Sequence, residues 1–479
     1  MTEKTASAGQ AAVAGQKASS GAQRRSVAVI GAGLAGTSAA LGFADAGFDV
    51  TLYSDRDREA LRDKVPPTGV GVLFGKSREW DAQIIDDLYE IGNTTGISVR
   101  LHSGSGDERA DVLAFNPDYG YVAQAVDLRL RADDRLGRFL ERGGRFEVGH
   151  IDATRLDQIA GGHDLTLVAT GKGGLSGLFE VDESRTHYHE PQRRLLQVTL
   201  DGVDHGPESF SYRASEGGRH SLFNLDSENG EIFVGPFLHK DAGATWSIIV
   251  FATPDGAWAP LIDNVVDAQS ARQVVVDIFT EYFPKDAPVI SGLRVIESDP
   301  YSWLTGAVTP TVRKPVGRTA HGHPVGAIGD TAIAVDPVAG QGAQHTLIQV
   351  AELVKAAQAR LADDPNAALD ADWLDAEFEK HWERRGHAAT EVTRLFLGDP
   401  DFATHLELSF PAAAVNTNIA SALFGLLSDP NPLLSLHTRD DVLDFITAVA
   451  EEPAADLLAR FTPVGEFSAA PQSRESVPA

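Results

Sequence analysis

Cysteine is absent from this chain of 479 residues. A chain without thiols forms no disulfides and offers no thiolate nucleophile, and it holds neither cysteine-ligated zinc nor an iron–sulfur cluster. Any redox chemistry must therefore come from a bound cofactor rather than from the side chains of the protein.

Basic residues are also scarce, since 41 Lys and Arg stand against 68 Asp and Glu for a formal net charge of −27. A field of this sign repels nucleic acids and anionic membrane surfaces, so neither is expected as a partner. Long apolar runs are lacking as well, and no stretch approaches the roughly 18 residues that a membrane span needs. The first residues lack the basic-then-apolar order of a signal peptide, so a cytoplasmic protein is expected.

The strongest local pattern that is present is a strand, a glycine turn, a helix and a second strand within residues 27–53. Gly31 permits a tight turn, Gly33 lets a pyrophosphate approach the backbone, and Gly36 lets helix and strand pack closely. The helix start offers free N–H groups and a positive dipole end to phosphates. Asp55 lies near the position where an acidic residue binds ribose hydroxyls. The pattern predicts an adenine dinucleotide without choosing between FAD and NAD.

A second glycine turn lies far downstream. Gly329 and Asp330 follow a predicted strand at 325–328, and a Pro–Gly–x–Gly turn over 337–343 begins an amphipathic helix. The Asp330 carboxylate can accept hydrogen bonds from a ribityl chain, and N–H groups after the turn can stabilise negative charge on a reduced flavin. From the residues alone, an ordinary strand-to-helix turn is an equally good interpretation. The extended, glycine-interrupted segments between about 190 and 310 indicate a β-rich region.

Three segments together resemble flavoprotein monooxygenases of the p-hydroxybenzoate hydroxylase fold: GAGLAG at 31–36, ATGK at 169–172 and GDTAIAVDPVAGQGA at 329–343. More narrowly, the chain resembles the styrene/indole monooxygenase family, whose members are the oxygenase half of a two-component system. The similarity runs in order from about residue 27 to about residue 397, with further matches at 50–56, 125–130, 140–146 and 191–193.

This resemblance implies an α/β fold with a discontinuous Rossmann-like FAD-binding domain, an inserted β-sheet substrate domain and C-terminal helices. The expected boundaries are 1–25 for a disordered tail; 26–70, 125–180 and 310–362 for the FAD-binding domain; 71–124 and 181–309 for the substrate-binding domain; 363–467 for the C-terminal helical region; and 468–479 for a second disordered tail.

The resemblance also implies a function. A separate NADH-dependent flavin reductase supplies reduced FAD, and O2 captured as a C4a-(hydro)peroxyflavin epoxidises or hydroxylates an apolar alkene or aromatic substrate. Because the cofactor carries the difficult step, no acid or base residue is assigned as catalytic. Two alternatives stay open: a single-component hydroxylase that takes hydride from NAD(P)H, and a non-catalytic carrier that keeps the dinucleotide fold. The residues do not decide the oligomeric state, for which a homodimer is one option.

Site residues follow from the matched segments. Thr68 stands where the family commonly has a polar Asn, which argues against styrene and indole as substrates. The pocket candidates are Thr68, Val70, Val72 and Val338. The residues expected to bind the cofactor are Gly31, Gly33, Leu34, Ala35, Gly36, Ser54, Asp55, Arg56, Arg129, Thr170, Gly171, Gly329, Asp330, Pro337, Gly340, Gly342 and Ala343.

Two features have less direct interpretations. Arg129, at a predicted helix start, either reaches the FAD pyrophosphate or is a solvated helix charge. The histidine pairs at 187/189 and 321/323 lack a third ligand at suitable spacing, so no metal is expected.

Overall fold

The computed structural model describes residues 24–104, 110–205, 207–213 and 220–462. The segment 468–479, and all but Arg24 and Arg25 of the segment 1–25, both predicted as disordered tails, lie outside these residues. None of the described helices is both long and apolar enough to cross a membrane.

The strands form two large sheets and one two-stranded ladder, β15-β18. In chain order the strands are β1 Ser26–Ile30, β2 Asp49–Ser54, β3 Val72–Leu73, β4 Asn93–Ser103, β5 Ala110–Phe115, β6 Asp118–Ala125, β7 Arg145–Val148, β8 Leu165–Val168, β9 Arg194–Asp201, β10 His220–Asp226, β11 Gly230–His239, β12 Gly243–Ala252, β13 Arg294–Val295, β14 Trp303–Ala307, β15 Thr311–Val312, β16 Val316–Arg318, β17 Pro324–Ala327 and β18 Ile333–Ala334.

The helices cover both sheets and make up most of the chain after residue 340. In chain order they are α1 Leu34–Asp45, α2 Arg58–Asp63, α3 Gly75–Asp81, α4 Leu128–Glu141, α5 Ala153–Gly161, α6 Ala259–Asp263, α7 Ala268–Tyr282, α8 Ala287–Ser291, α9 Gln341–Asp363, α10 Ala371–His381, α11 His387–Leu397, α12 Ala403–Val415, α13 Thr417–Gly425, α14 Arg439–Ala450 and α15 Ala454–Leu458. A π-helical turn, Trp382–Gly386, joins α10 to α11.

The six-stranded sheet has the order β16-β17-β8-β1-β2-β7, and the strands from β17 to β7 are parallel. Its central strand β1 is buried on both faces, as its continuous apolar sequence predicts. Val27 and Val29 face a core shared with α1 and α9, whereas Ala28 and Ile30 face a core shared with α5. The carboxyl ends of β1, β8 and β17 therefore lie together at one edge between two helical layers.

The ten-stranded sheet has the order β13-β9-β12-β11-β10-β4-β6-β3, with β14 beside β9 and β5 beside β4. It is mostly antiparallel, and β10 pairs parallel to β4. Alternate residues of β12 serve two cores: Ile248 and Val250 pack with α7, while Ile249 and Phe251 pack with the C-terminal helices. The C-terminal helices thus cover one face of this sheet.

The region 190–310 is not wholly extended, because α6, α7 and α8 lie within it. In α7 the buried residues Ala271, Val275, Ile278 and Phe279 recur at helical spacing and pack on the sheet. The interpretation of the whole region as β-rich is therefore wrong between residues 259 and 291, where the apolar period is helical rather than alternating.

Candidate functional site

The two glycine turns open into a single cavity of about 880 Å³. Gly31, directly after β1, and Gly340, directly before α9, both line it. The cavity lies at the carboxyl edge of the parallel sheet, where ligands bind in doubly wound α/β folds. One molecule can therefore touch both turns, as the dinucleotide hypothesis requires.

The first turn has the space that a bound pyrophosphate needs. Gly31 has φ +106° and its N–H donates to the Tyr53 carbonyl at 2.8 Å. A Cβ on Gly31 would lie 2.5 Å from the Ala169 oxygen, and one on Gly36 would lie 1.7 Å from the Gly31 oxygen. Around Gly33, by contrast, no described atom outside Gly33 and its two chain neighbours lies within 4 Å of an added Cβ. The open side of the turn is thus at Gly33, beside the unpaired N–H groups of the first turn of α1.

The end of β2 forms the neighbouring wall. Ser54 is buried, and its Oγ accepts a hydrogen bond from the Arg56 N–H at 3.1 Å. The Asp55 carboxylate lies 3.4 Å from the Arg56 guanidinium, and both side chains are about half exposed. These side chains can therefore reorganise around a ribose at little cost.

The Asp330 turn is joined to the ATGK segment by polar contacts. Lys172 Nζ lies 3.1 Å from Asp330 Oδ2, and both residues line the cavity. The Thr331 hydroxyl donates to the Gly171 carbonyl at 3.1 Å. Lys172 had no predicted role as part of ATGK, although a cation directly after a strand–glycine turn is a local signal for such a contact.

The start of α9 is held in place by a buried glutamine, Gln344, which was not among the predicted site residues. Gln344 Nε2 donates to the Val72 carbonyl at 2.6 Å and to the Gly340 carbonyl at 3.0 Å. Its Oε1 accepts from the Phe74 N–H at 3.1 Å. Gly340 itself has φ +62°, a left-handed conformation that favours glycine. One side chain therefore holds strand β3 against the second glycine turn.

Asp336 is a buried carboxyl group at the base of this second turn. Its Oδ1 accepts from the Val338 N–H at 3.0 Å, while its Oδ2 has no hydrogen-bond partner among the described residues. Burial raises the pKa of Asp336 to about 6. Arg193 and Lys172 favour the ionised form and Glu231 opposes it, but these charges do not outweigh the desolvation.

Arg129 lines the cavity but is not a solvated charge, because its side chain is only 4% exposed. Its guanidinium donates to Asp127 at 2.7 and 3.0 Å, to Asp299 at 2.7 Å and to the Val65 carbonyl at 3.1 Å. Burial alone would raise the pKa of Asp299, but hydrogen bonds from His239 and Arg129 hold it well below its usual value. Among the described residues, one of the two N–H groups of Arg129 Nη1 has no hydrogen-bond partner and is available to a pyrophosphate. The predicted contact with the pyrophosphate stays a prediction.

The other end of the cavity is an apolar chamber between the ten-stranded sheet and the C-terminal helices. Side chains from β4, β6, β10, β11 and β12 form one wall, and α11 and α13 with the residues after it form the other. The chamber is lined by Thr94, Ile97, Tyr119, Phe223, Phe233, Ile249, Phe251, Phe396, Phe424 and Leu427. No Asp, Glu, Lys or Arg is among these ten. None of the ten was predicted from the sequence, since they come from distant strands and helices.

Most predicted site residues meet at this cavity. All four pocket candidates line it, and so do all the residues predicted to bind the cofactor except Gly36 and Gly329. Gly36 instead packs on the Gly31 backbone, and the Gly329 N–H donates to Gln349 Oε1 at 2.8 Å. Position at the cavity wall does not by itself assign a role, so the individual roles stay predictions. Among the described residues, no group of three or more His, Cys, Asp or Glu side chains could hold a metal ion.

Two solved structures show the same fold as this chain. The flavin-dependent brominase Bmp2 aligns with a TM-score of 0.57 at 12% identity, over 90% of this chain and 99% of that chain. The tetrameric form of 2-methyl-3-hydroxypyridine-5-carboxylic acid oxygenase aligns with a TM-score of 0.54 at 16% identity, over 83% of this chain and 97% of that chain. At these identities the likeness shows the fold, which is the predicted p-hydroxybenzoate hydroxylase-like α/β fold.

Sequence comparisons identify a more specific group of similar proteins. Residues 171–288 match the family model described as "Styrene monooxygenase A putative substrate binding domain". A styrene monooxygenase StyA of Pseudomonas fluorescens is 22% identical over 419 residues, covering 80% of this chain and 89% of the relative. A second StyA, from a Pseudomonas species, is 23% identical over 334 residues, covering 67% and 74%.

The class that fold, cavity and relatives define is the flavin-dependent monooxygenases, and the cofactor is a flavin. Within this class, the comparisons confirm the predicted resemblance to the styrene monooxygenase family.

Proposed function

We propose that this chain is the oxygenase component of a two-component FAD-dependent monooxygenase. A separate NADH-dependent flavin reductase would supply reduced FAD, and O2 would provide one oxygen atom for the epoxidation or hydroxylation of an apolar alkene or aromatic substrate. The observation that carries the proposal is the single cavity that both glycine turns line and that continues into the apolar chamber. The names of the relatives support the two-component arrangement.

In this proposal each wall of the cavity holds one part of FAD. The Gly31–Gly36 turn and the N-terminus of α1 bind the pyrophosphate through backbone N–H groups. The side chains at the end of β2 bind the ribose, and Asp330 binds the ribityl chain. The N–H groups at the start of α9 favour negative charge on the ring. The residues proposed for these roles are Gly31, Gly33, Leu34, Ala35, Ser54, Asp55, Arg56, Arg129, Thr170, Gly171, Asp330, Pro337, Gly340, Gly342 and Ala343. Gly36 and Gly329 do not line the cavity, so they are proposed to shape the two turns rather than to contact FAD.

The chain's own contribution to the reaction is binding, orientation and exclusion of water. A bound reduced flavin supplies the two electrons with which one atom of O2 becomes water while the other enters the product. Phenylalanine and isoleucine side chains exclude water from the chamber, which would prevent side reactions with water while oxygen is transferred to the substrate. Thr68, Val70, Val72 and Val338 line the cavity and are assigned to the substrate side of the flavin.

We further propose that the segments 26–70, 125–180 and 310–362 act together as the FAD-binding domain. The segments 71–124 and 181–309 would form the substrate-binding domain, followed by the helical region 363–467. The cytoplasmic location is part of the same proposal, since the reductase partner needs NADH.

The test supplies the purified protein with reduced FAD from a generic flavin reductase and NADH, then screens styrenes, indoles and bulkier alkenes by mass spectrometry. A product that has gained one oxygen atom, and that appears only when the reductase is present, is the expected result. Rapid flavin reduction by NAD(P)H without reductase would instead establish a single-component hydroxylase. If no substrate gains oxygen, and O2 is consumed no faster than by the reductase and free FAD alone, only the carrier alternative would be left.

A matched variant separates protein-bound oxygenation from oxidation by free reduced flavin. Gly33→Asp places a negative charge at the open side of the first turn without a steric clash. Oxygenated product should disappear in this variant while the reductase continues to consume NADH. Product formation at the wild-type rate would overturn the proposed site.

A further inference from the structure

The apolar chamber contains one hydroxyl group whose hydrogen-bonding capacity is unused. Tyr119 lines the chamber and is only 6% exposed, and its hydroxyl makes no hydrogen bond to any described residue. Its neighbour Tyr121 stacks on it with ring centroids 5.3 Å apart, but the Tyr121 hydroxyl contacts the Phe424 carbonyl at 3.5 Å. Thr94, the other polar side chain of the chamber, donates to the Gly96 carbonyl at 2.9 Å. The Tyr119 hydroxyl is thus available to a ligand.

A chain of contacts links Tyr119 to the second glycine turn. The Phe74 ring lies 6.4 Å from the Tyr119 ring in an edge-to-face arrangement. A Cβ on Gly340 would lie 3.3 Å from Phe74 Cε2, so the same ring also contacts the turn. Only one aromatic ring therefore separates Tyr119 from the turn that would hold the flavin ring in the proposed function.

Free polar groups in apolar sites discriminate strongly between ligands. When an apolar ligand displaces water from such a hydroxyl, the hydroxyl is left unpaired, and this loss exceeds the gain from an ordinary hydrogen bond. Burial raises the pKa of Tyr119 far above its usual value, so the phenol stays protonated and able to donate. With no ionised side chain in the chamber, a charged ligand would lose its hydration without compensation.

We propose that Tyr119 is a specificity-determining residue whose hydroxyl binds the substrate, and that the preferred substrate is an uncharged aromatic or alkenyl compound with one hydrogen-bonding group. The proposal rests on the proposed function, because it names the substrate class of the same cavity.

Binding of unreactive probes tests this without turnover. The protein is loaded with oxidised FAD, and calorimetry measures the Kd of ethylbenzene, acetophenone and 4-ethylphenol. Acetophenone and 4-ethylphenol carry their polar groups at opposite ends of the ring, so they sample both orientations. In Tyr119→Phe, the Kd of at least one polar probe should rise about 10-fold, while ethylbenzene should bind equally or more tightly. The control Tyr121→Phe should change each Kd less than about 2-fold, because its hydroxyl is outside the chamber lining.

A spectroscopic readout separates a hydrogen bond from a change of shape. The infrared carbonyl band of bound acetophenone should lie at lower frequency in the wild type than in Tyr119→Phe. Equal weakening of all three probes, or no change in either polar probe, would overturn the proposal. Because no oxygen is transferred in these measurements, the absence of a hydrogen bond from Tyr119 to the ligand is distinguishable from the absence of the proposed oxygenase activity.

Discussion

At the scale of single residues, the first glycine turn contains two positions with opposite surroundings. Gly31 is enclosed by the backbone of Ala169 and Thr170, directly after β8, and has a positive φ, so any side chain there is strained. Gly33 has φ −77° and open space on its free side. A substitution at Gly31 would therefore disturb the turn itself, whereas a substitution at Gly33 would affect only a ligand bound beside the turn.

Gly33→Asp should leave folding intact and weaken FAD binding on the order of 100-fold. Aspartate is a good N-cap, so α1 is not destabilised, but its charge would repel the pyrophosphate. Isothermal titration with FAD and a thermal unfolding scan measure the two effects. Gly33→Asn is the matched control, because it has the same shape and capping ability without the charge. Equal affinities of the Asp and Asn variants would argue against a phosphate at this turn.

Asp336 makes stability depend on pH in a defined direction. Its pKa is raised to about 6, so the folded protein binds a proton that the unfolded chain releases near its ordinary value. The contribution of this group to the free energy of unfolding therefore falls as pH rises from about 4 to about 6, and stays low above that.

Asp336→Asn should remove this dependence, because an amide of the same shape does not ionise. At pH 7.5 the variant should be more stable than the wild type by about 1–3 kcal/mol, and at pH 4 this advantage should vanish. Urea unfolding at both pH values checks it. A stability difference that is the same at both pH values would show that ionisation of Asp336 is not its cause.

At the scale of elements, the position of β3 against the start of α9 determines the shape of the cavity beside the second turn. β3 is only two residues long and pairs with β6 alone among the described strands. Gln344 supplies the remaining link, through the Val72 carbonyl and the Phe74 N–H.

Gln344→Met should lower the free energy of unfolding by about 2–4 kcal/mol, because it keeps the volume but leaves two buried backbone groups unpaired. Chemical denaturation measures the change. Gln358→Met is the control on the same helix, since Gln358 is exposed, and its effect should stay within about 0.5 kcal/mol. A similar decrease in the free energy of unfolding in both variants would mean that the hydrogen bonds from Gln344 to Val72 and Phe74 do not stabilise the protein.

At the scale of the whole molecule, the cavity joins segments that are far apart in the chain. A ligand that touches the turns at Gly31 and Gly340 stabilises the folded state as a unit, by about 2.7 kcal/mol at a concentration 100 times its Kd. A ligand that fills only one end has fewer contacts and a higher Kd.

FAD should therefore raise the midpoint of thermal unfolding more than FMN at the same concentration. FMN lacks the adenosine half that the Gly31 turn is proposed to hold. Differential scanning fluorimetry over a concentration series of both flavins measures the shifts. Equal shifts for FAD and FMN would contradict a site that spans both turns.

Local patterns in the sequence were sufficient for the elements next to the dinucleotide turn. The apolar run 27–30, the glycines at 31, 33 and 36 and the helical spacing after Gly342 each carry information within a few residues, and β1, α1 and α9 form where they predict. Helix α7 was missed even though its apolar residues have helical spacing, because it lies among extended segments of similar composition.

What the sequence by itself determined is the class: a dinucleotide turn, a second glycine turn, and motifs that resemble flavin monooxygenases. Tertiary structure alone decided which residues form the apolar chamber and which side chain links β3 to the second turn. The chamber takes side chains from five strands and two helices, and Gln344 contacts Val72 and Phe74 across some 270 positions of the chain. Buried hydrogen bonds and aromatic packing of this kind depend on which surfaces the fold brings together, and no local spacing records them.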